Sequence, residues 1–326
     1  MTRSFQLIPT NGVNINTFVE GEGKPVIFVH GWPESWYSWR HQIDPFKAAG
    51  YKVIIPDIRG YGRSDKPKNI NSYSLNEITK DLIGILNYLN EDTAHIIGHD
   101  WGAPISWYTS LLFPERVLSV SGLSVPFNPF DKIPPIKLFK SIFKDIFFYI
   151  LYFQKRGIPE KELEENIERT LRLIYCNSDA LGMKKILHHS LDDLKEKKEK
   201  TSTFLKGMNE PEFLPKWLSE KDMRYFVGEF QNSGMFGPLN RYRCMDLDWS
   251  ELYKLSLNKI TKPACFITGS LDPVNFFIPG VNLFDSVGRN YEDLRTKKLL
   301  NDVGHWTQQE APNEVNKILL DFLKKI

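Results

Sequence analysis

Gly98-His99-Asp100-Trp101-Gly102 lies between two segments of opposite character. Before it, Thr93-Ala94-His95-Ile96-Ile97 is short and apolar, the pattern of a buried strand. After it, Ala103 to Phe113 has helical spacing, with Pro104 in the first turn, where a missing N–H costs nothing. Two glycines around a central residue, at a turn from strand to helix, let the backbone bend sharply and crowd, so that the central side chain is exposed. A serine at such a point needs a base before it attacks acyl carbon. Asp100 carries its charge already, which suits displacement at a saturated carbon. A carboxylate can also merely cap a helix. A cap, however, precedes the first turn and needs no Gly-x-x-x-Gly frame. Ser106 and Ser110 fall inside the helix and lack the exposure of the bend.

Working outward, the first 125 or so residues alternate strand-like and helix-like segments, the pattern of a parallel sheet covered by helices. Pro25 to Val29 and Tyr51 to Ile55 are continuous apolar runs, as in strands buried on both faces. Trp36 to Ala49 and Leu75 to Leu89 have helical spacing, and Val117 to Val125 gives one more strand. From Pro126 to about Leu255 the strand signal stops. Helix-like segments follow, the clearest being Lys161 to Tyr175, with Leu163, Ile167, Leu171 and Ile174 on one stripe. Strands resume at Pro263 to Thr268 and near Leu299-Leu300, and Glu314 to Leu323 reads as a closing helix. The expected division is therefore a core at 1–127, a helical cap at 128–255 and the rest of the core at 256–326.

Bulk composition excludes several classes. The chain has 326 residues, of which 41% are hydrophobic, enough for a sizeable core. Lys and Arg number 42 against 40 acids, and a net charge of +2 gives no reason to expect a nucleic-acid partner. Cys176, Cys244 and Cys265 are scattered, which suggests reduced thiols rather than a disulfide framework or metal cluster. The N-terminus lacks the apolar stretch of a signal peptide. The most membrane-like run, Ile146 to Phe153, is far short of the roughly 20 residues a spanning helix needs. A soluble, cytoplasmic protein is expected. The run at 192–200 reads as a solvated charged face.

An ester to Asp100 must be hydrolysed for turnover, which calls for a base and a group to orient it. After a strand-to-helix nucleophile, the acid and then the histidine are expected downstream, each after a late strand. Asp272, in Gly269-Ser270-Leu271-Asp272-Pro273, and His305, in Val303-Gly304-His305-Trp306, stand there, with Asp302 as the rival acid. His188 and His189 fall in the cap, His41 and His95 within helix and strand patterns. His30 and His99 adjoin glycine turns, where a structural imidazole is the simpler reading. His30-Gly31-Trp32-Pro33 follows an early strand, so the main-chain N–H groups of Trp32 and Trp101 are expected to form an oxyanion hole. The isomer of the Trp32-Pro33 bond is left open.

With these residues in hand, a resemblance becomes specific. His30-Gly31-Trp32-Pro33-Glu34-Ser35-Trp36, Asp57-Ile58-Arg59-Gly60-Tyr61-Gly62-Arg63-Ser64, Gly98 to Gly102 and Gly304-His305-Trp306 are similar to epoxide hydrolases of the soluble type. The likeness runs from about residue 5 to the C-terminus, without the extra phosphatase-like domain of vertebrate relatives. It implies an α/β-hydrolase fold, with a mostly parallel sheet and an inserted helical cap, and two cap tyrosines that hold the epoxide oxygen. The matching positions are Tyr149 and Tyr242, which spacing alone would not select among 13 tyrosines. Tyr152, three residues from Tyr149, is the confounder. Arg241 and Arg243 beside Tyr242, and residues 190–215, depart from the family pattern.

The implied reaction opens epoxides to vicinal diols. Asp100, with a carboxylate pKa of about 4, attacks a ring carbon, while Tyr149 and Tyr242, with pKa near 10, donate to the oxygen. Water activated by His305, oriented by Asp272, then cleaves the ester. No metal or organic cofactor is implied; the partners are a small apolar epoxide and water, and the protein is a monomer or homodimer. A haloalkane dehalogenase uses the same ester chemistry but needs halide-binding N–H donors, often Asn at the place of Trp32. In some of these the acid follows the strand ending at Val125, where this chain has Asn128. Fluoroacetate dehalogenase places Arg where Trp101 stands. A non-catalytic receptor on this fold has no need of the full Asp100, Asp272, His305 set, and the absence of Ser or Cys at the bend argues against an esterase.

Overall fold

A computed structural model describes residues 4–188 and 199–326. His189, the side chain of His188 and most of the charged run at 192–200 lie outside the described residues. Glu199 and Lys200, the last of that run, are exposed.

Apolar runs become the middle of one eight-stranded sheet. The strands are β1 (Phe5–Thr10), β2 (Val13–Glu20), β3 (Lys24–Val29), β4 (Tyr51–Pro56), β5 (Ala94–His99), β6 (Val117–Leu123), β7 (Ala264–Gly269) and β8 (Leu294–Leu300). Their order is β1-β2-β4-β3-β5-β6-β7-β8. Strands β3 to β8 pair in parallel, while β1 and β2 form an antiparallel hairpin whose second strand adds antiparallel to β4. The hairpin turns on Asn11-Gly12, both at positive φ (41° and 75°), the conformation of the two-residue turns that match strand twist.

Alternate residues of β3 feed opposite faces of the sheet. Ile27 and Val29 join one apolar cluster, with Ile78, Leu82 and Ile105 from α2 (Leu75–Tyr88) and α3 (Gly102–Leu112). Val26 and Phe28 join the other, with Phe46 from α1 (Ile43–Ala48) and Leu319 and Phe322 from α14 (Pro312–Leu323). The expected helix over Trp36 to Ala49 is in fact broken: a 3₁₀ turn, Trp36–Trp39, precedes α1. Ser35 caps that turn by accepting from the Tyr37 N–H, and Pro45 in the first turn of α1 is compatible with a fresh start there.

Between β6 and β7 the described residues hold helices and no strand: α4 (Pro135–Ile142), α5 (Tyr149–Phe153), α6 (Ile158–Glu165), α7 (Ile167–Ser178), α8 (Ala180–His188), α9 (Glu220–Ser233), α10 (Phe236–Arg243) and α11 (Met245–Ser256). The single stripe expected over Lys161 to Tyr175 is two helices. Asn166, at φ −147°, ends α6 and caps α7 by accepting from the Arg169 N–H at 2.9 Å. Two short helices, α12 (Leu283–Ser286) and α13 (Thr307–Glu310), complete the set. No described helix is long and apolar enough to cross a membrane.

Candidate active site

In a parallel sheet with helices on both faces, loops at the carboxyl ends of the strands make the natural crevice. Trp32 follows β3, Asp100 follows β5, Ser124 follows β6, Asp272 follows β7 and His305 follows β8. All five converge there.

Asp100 sits at φ +49°, a left-handed conformation that costs a non-glycine residue about 1 kcal/mol or more. Close packing permits this bend only with glycines around it. A Cβ on Gly31 would collide with the Asp100 side chain, and one on Gly102 with the carbonyls of Val29 and His30. Asp100 Oδ1 accepts from the Trp32 N–H at 2.7 Å, and its carboxylate also receives the Trp101 N–H. The Trp32-Pro33 bond is cis. Burial raises the Asp100 carboxyl above its ordinary range, against the pull of His305, His99 and the two amides. Partial burial therefore moves the carboxyl up from the ordinary value expected from the sequence.

The second Asp100 oxygen, Oδ2, lies 3.7 Å from His305 Nε2. On the other edge of the ring, Nδ1 faces Asp272 Oδ1 at 3.1 Å and Ser124 Oγ at 3.1 Å. Burial works against charge on the imidazole, but Asp272, then Asp100, outweigh it and hold His305 at about 9. Burial likewise opposes the charge of Asp272, yet His305, the Ser124 hydroxyl and the Val274 N–H keep its carboxyl below the usual range. The rival Asp302 is on the surface, paired with Lys184 at 2.6 Å.

Sequence reasoning missed two contributors. Ser124, at φ +72° and fully buried, touches both His305 and Asp272. A lone serine after a strand carries no pattern that selects it. Glu34, also fully buried, accepts from the Gly31 N–H at 2.8 Å, from Gln308 Nε2 at 2.9 Å and from His99 Nδ1 at 2.8 Å. His99 Nε2 reaches the carbonyl of His305 at 2.7 Å, so both nitrogens of that ring face acceptors. Burial disfavours the Glu34 anion, but His99 and the Gly31 amide hold it at about 2. This pair ties the Trp32 turn, the elbow and the His305 loop together. His30 is structural as expected, its Nε2 accepting from the Ile58 N–H at 3.1 Å. His95 is held by Ser119 in the sheet.

Across the crevice stand the helices of the insertion. Asp100, Trp101, Tyr149 and Tyr242 share the wall of one cavity of about 440 Å³ lined mainly by apolar and aromatic side chains, with Asn128 also on its wall. Tyr149 opens α5 and Tyr242 lies near the end of α10; their ring centroids are 5.8 Å apart. Tyr152 does not line that cavity. Burial, then nearby groups including Asp100, pushes both phenols well above 10, the value expected from the sequence. They are therefore hydrogen-bond donors throughout the working pH range. The Tyr242 hydroxyl also meets the Trp101 side chain, whose one donor is its indole N–H. Arg241 is buried against Asp248, with its guanidinium 4.8 Å from the Trp101 ring centroid. Among the described residues no group of His, Cys, Asp and Glu is arranged to hold a metal ion.

A strained carboxylate elbow at the carboxyl edge of this sheet defines an α/β hydrolase, and residues 24–143 match the family model described as the alpha/beta hydrolase fold. The chain is 38% identical to Epoxide hydrolase A of Mycobacterium tuberculosis, over 98% of this chain and 96% of that protein. It is 35% identical to Epoxide hydrolase 2 of Siraitia grosvenorii, over 98% and 97%. An epoxide hydrolase structure from an endophytic Streptomyces superimposes with a TM-score of 0.92 at 36% identity, covering 99% of this chain and 95% of that one. The chain belongs to the epoxide hydrolases of the α/β-hydrolase fold.

Proposed function

We propose that this protein opens epoxides to vicinal diols through an ester to Asp100, with the helical insertion at 128–255 acting as a cap over a core at 1–127 and 256–326. The observation that carries this reading is the convergence of Asp100, Tyr149 and Tyr242 on one apolar cavity, with His305 behind the nucleophile.

In the first step Oδ2, the oxygen not held by Trp32, attacks a ring carbon. The ring C–O bond breaks, and its electron pair stays on the oxygen, which takes hydrogen bonds from Tyr149 and Tyr242 and then a proton. His305 enters this step as an imidazolium beside the Asp100 anion. Esterification removes that anion, one of the groups sustaining the imidazolium. The proton His305 gives up and the proton the opened oxygen gains balance.

In the second step neutral His305 takes a proton from water, which attacks Cγ of the ester. The new oxyanion forms on Oδ1, already within 2.7 Å of the Trp32 N–H, with the Trp101 N–H beside the same carboxyl. Collapse releases the diol, whose freed oxygen takes its proton from His305; the carboxylic acid left on Asp100 then gives its proton to His305, which restores the carboxylate and the imidazolium. Asp272 orients the imidazole and stabilises its cation.

The same elbow serves haloalkane dehalogenases, which need N–H donors for the halide, whereas here the Trp101 ring packs edge-on against the Tyr242 phenol at 5.2 Å. Release of diol without halide from matched epoxide and haloalkane substrates separates the two. We further infer a cytoplasmic monomer or homodimer that needs no cofactor or nucleic acid; the net charge of +2 and dispersed cysteines support this.

Single turnover in heavy-oxygen water tests the mechanism. The label is expected in Asp100 first and in the diol only on later turnovers. Prompt label in the first diol means direct attack by water and ends the ester reading.

A further inference from the structure

The imidazole of His305 is held by Asp272 and Ser124, but a side chain is only as well placed as the loop that carries it. Gly304, His305 and Trp306 are all buried, so each of their main-chain N–H groups needs a partner. The His305 N–H donates to the Ser178 carbonyl at 2.9 Å. The two amides on either side of it share a single acceptor, the Glu310 carboxylate. Gly304 donates to Oε2 at 3.0 Å and Trp306 to Oε1 at 2.9 Å. The same Oε2 accepts from the N–H of Ala180, the first residue of α8 in the cap, at 3.0 Å.

Glu310 reaches these amides because the chain turns back on itself. Its own N–H donates to the Trp306 carbonyl at 2.8 Å, at the end of α13. Base loop and cap meet backbone to backbone here, since a Cβ on Gly304 would collide with Asp179 and Ala180. The Trp306 indole N–H adds a bond to the Tyr175 carbonyl at 2.9 Å. A carboxylate suits the position: it has two accepting oxygens and no donor, whereas an amide side chain has one oxygen and turns an NH2 toward an N–H. Without Glu310, two buried amides lose their partner, and the loop must shift to find others. Glu310 is not among the residues lining the cavity, so its effect on the reaction passes through the loop.

Resting on the epoxide-opening reading above, we propose that Glu310 is a positioning residue for ester hydrolysis, fixing the loop that carries the base and tying it to the cap. Ring opening is carried by Asp100 and the two phenols, none of which this loop bears.

The test compares the parent with Glu310→Gln and Glu310→Ala on styrene oxide at pH 8. Burial pushes the Glu310 carboxyl up to about 7 against the pull of the three amides, so at that pH the parent is largely ionised there. Glu310→Gln, which keeps the size of the side chain, is expected to slow ester hydrolysis about tenfold, and Glu310→Ala about 100-fold, the scale of a 1 Å misplacement. The rate of ester formation stays at that of the parent, the ester accumulates as a mass increase on the protein, and kcat and KM fall together. Ester formation is the internal control, because it needs a folded cap and core; should Ala fail to fold, Gln decides. If Glu310 only supports the fold, both steps slow together, KM stays where it was and no ester accumulates. That result, or an ester hydrolysed by Glu310→Gln as fast as by the parent, overturns the proposal. If the parent itself forms no ester, the epoxide reading falls, and this inference with it.

Discussion

The two walls of the crevice are built on different principles. The core wall delivers its groups from strand ends: Asp100, Ser124, Asp272 and His305 follow four consecutive neighbours in the sheet, β5 to β8, whose backbones are locked by ladder hydrogen bonds. The cap wall delivers Tyr149 from the five-residue helix α5 and Tyr242 from the eight-residue α10, positioned by aromatic packing and by side-chain anchors. Gln154 ties them, donating to the carbonyl of Tyr242 at 3.0 Å. Cap and core are joined where Tyr175 donates to the Pro33 carbonyl at 2.6 Å and where the His305 N–H reaches the Ser178 carbonyl at 2.9 Å. The lesson is a division of labour. Rigid strand ends hold the groups that make and break the ester, while the cap holds the groups that accompany the epoxide oxygen.

The largest expected effect lies on the core wall. His305→Gln leaves Asp100 and both phenols in place, so ring opening proceeds while ester hydrolysis loses its base. Turnover should fall by about a thousandfold or more, with the ester accumulating stoichiometrically and visible as a mass increase on the protein. No trapped ester would break the comparison. A companion effect concerns stability. The His305 pKa of about 9 in the folded state exceeds its ordinary 6.5, so its contribution is fully present below pH 6.5 and is lost as pH rises toward 9. The thermal midpoint of the parent should decline over that window by more than that of His305→Gln.

On the cap wall, Tyr149→Phe and Tyr242→Phe each remove one donor to the ring oxygen. Each should slow ester formation by about a hundredfold, the usual cost of one such donor. Here no ester accumulates, because the first step becomes limiting. The burst expected of the parent in rapid-mixing fluorescence should shrink or vanish. An accumulated ester in either variant would place that phenol in the second step, and the division between the walls would fail.

The core wall was legible in the sequence because each of its parts follows a short-range rule. The Gly98–Gly102 frame, the apolar runs of β3 to β5 and the late Asp272 and His305 loops are all local patterns with one structural solution. Its weak points were equally local. The hairpin of β1 and β2 went unread although Asn11-Gly12 between Thr10 and Val13 is a turn signal. Its first strand, burial alternating from Phe5 to Thr10, lacks the continuous apolar run of the central strands. The break at Asn166 was hidden because Leu163 and Leu171 are both buried, so two helices share what reads as one stripe. The cap wall was not legible from pattern at all. Tyr149 and Tyr242 are 93 residues apart and meet through rings contributed by distant segments, which no spacing rule encodes; only the family resemblance selected them. Burial was the other hidden quantity. It moved Asp100 and both phenols upward, in a direction their sequence neighbours do not indicate.

Ser124 gives the smallest and sharpest test of the core wall. Its Oγ lies 3.1 Å from His305 Nδ1 and its hydroxyl bonds Asp272, so it braces the imidazole and the carboxylate together without facing the substrate cavity. Removing the hydroxyl should cost about 1 kcal/mol, or about fivefold, and only in ester hydrolysis. The positive φ of 72° allows a control: Gly relieves that backbone strain whereas Ala retains it. If the hydroxyl is what matters, Ser124→Gly and Ser124→Ala share the same slowed second step, an unchanged burst and a displaced pH profile for ester hydrolysis. The direction of that displacement follows from the charges. Without the Ser124 bond the Asp272 anion is less well supported, it sustains the His305 cation less, and the profile moves to lower pH. Variants that differ from each other, or that slow ester formation as well, would show that Ser124 shapes the backbone of the loop rather than the base.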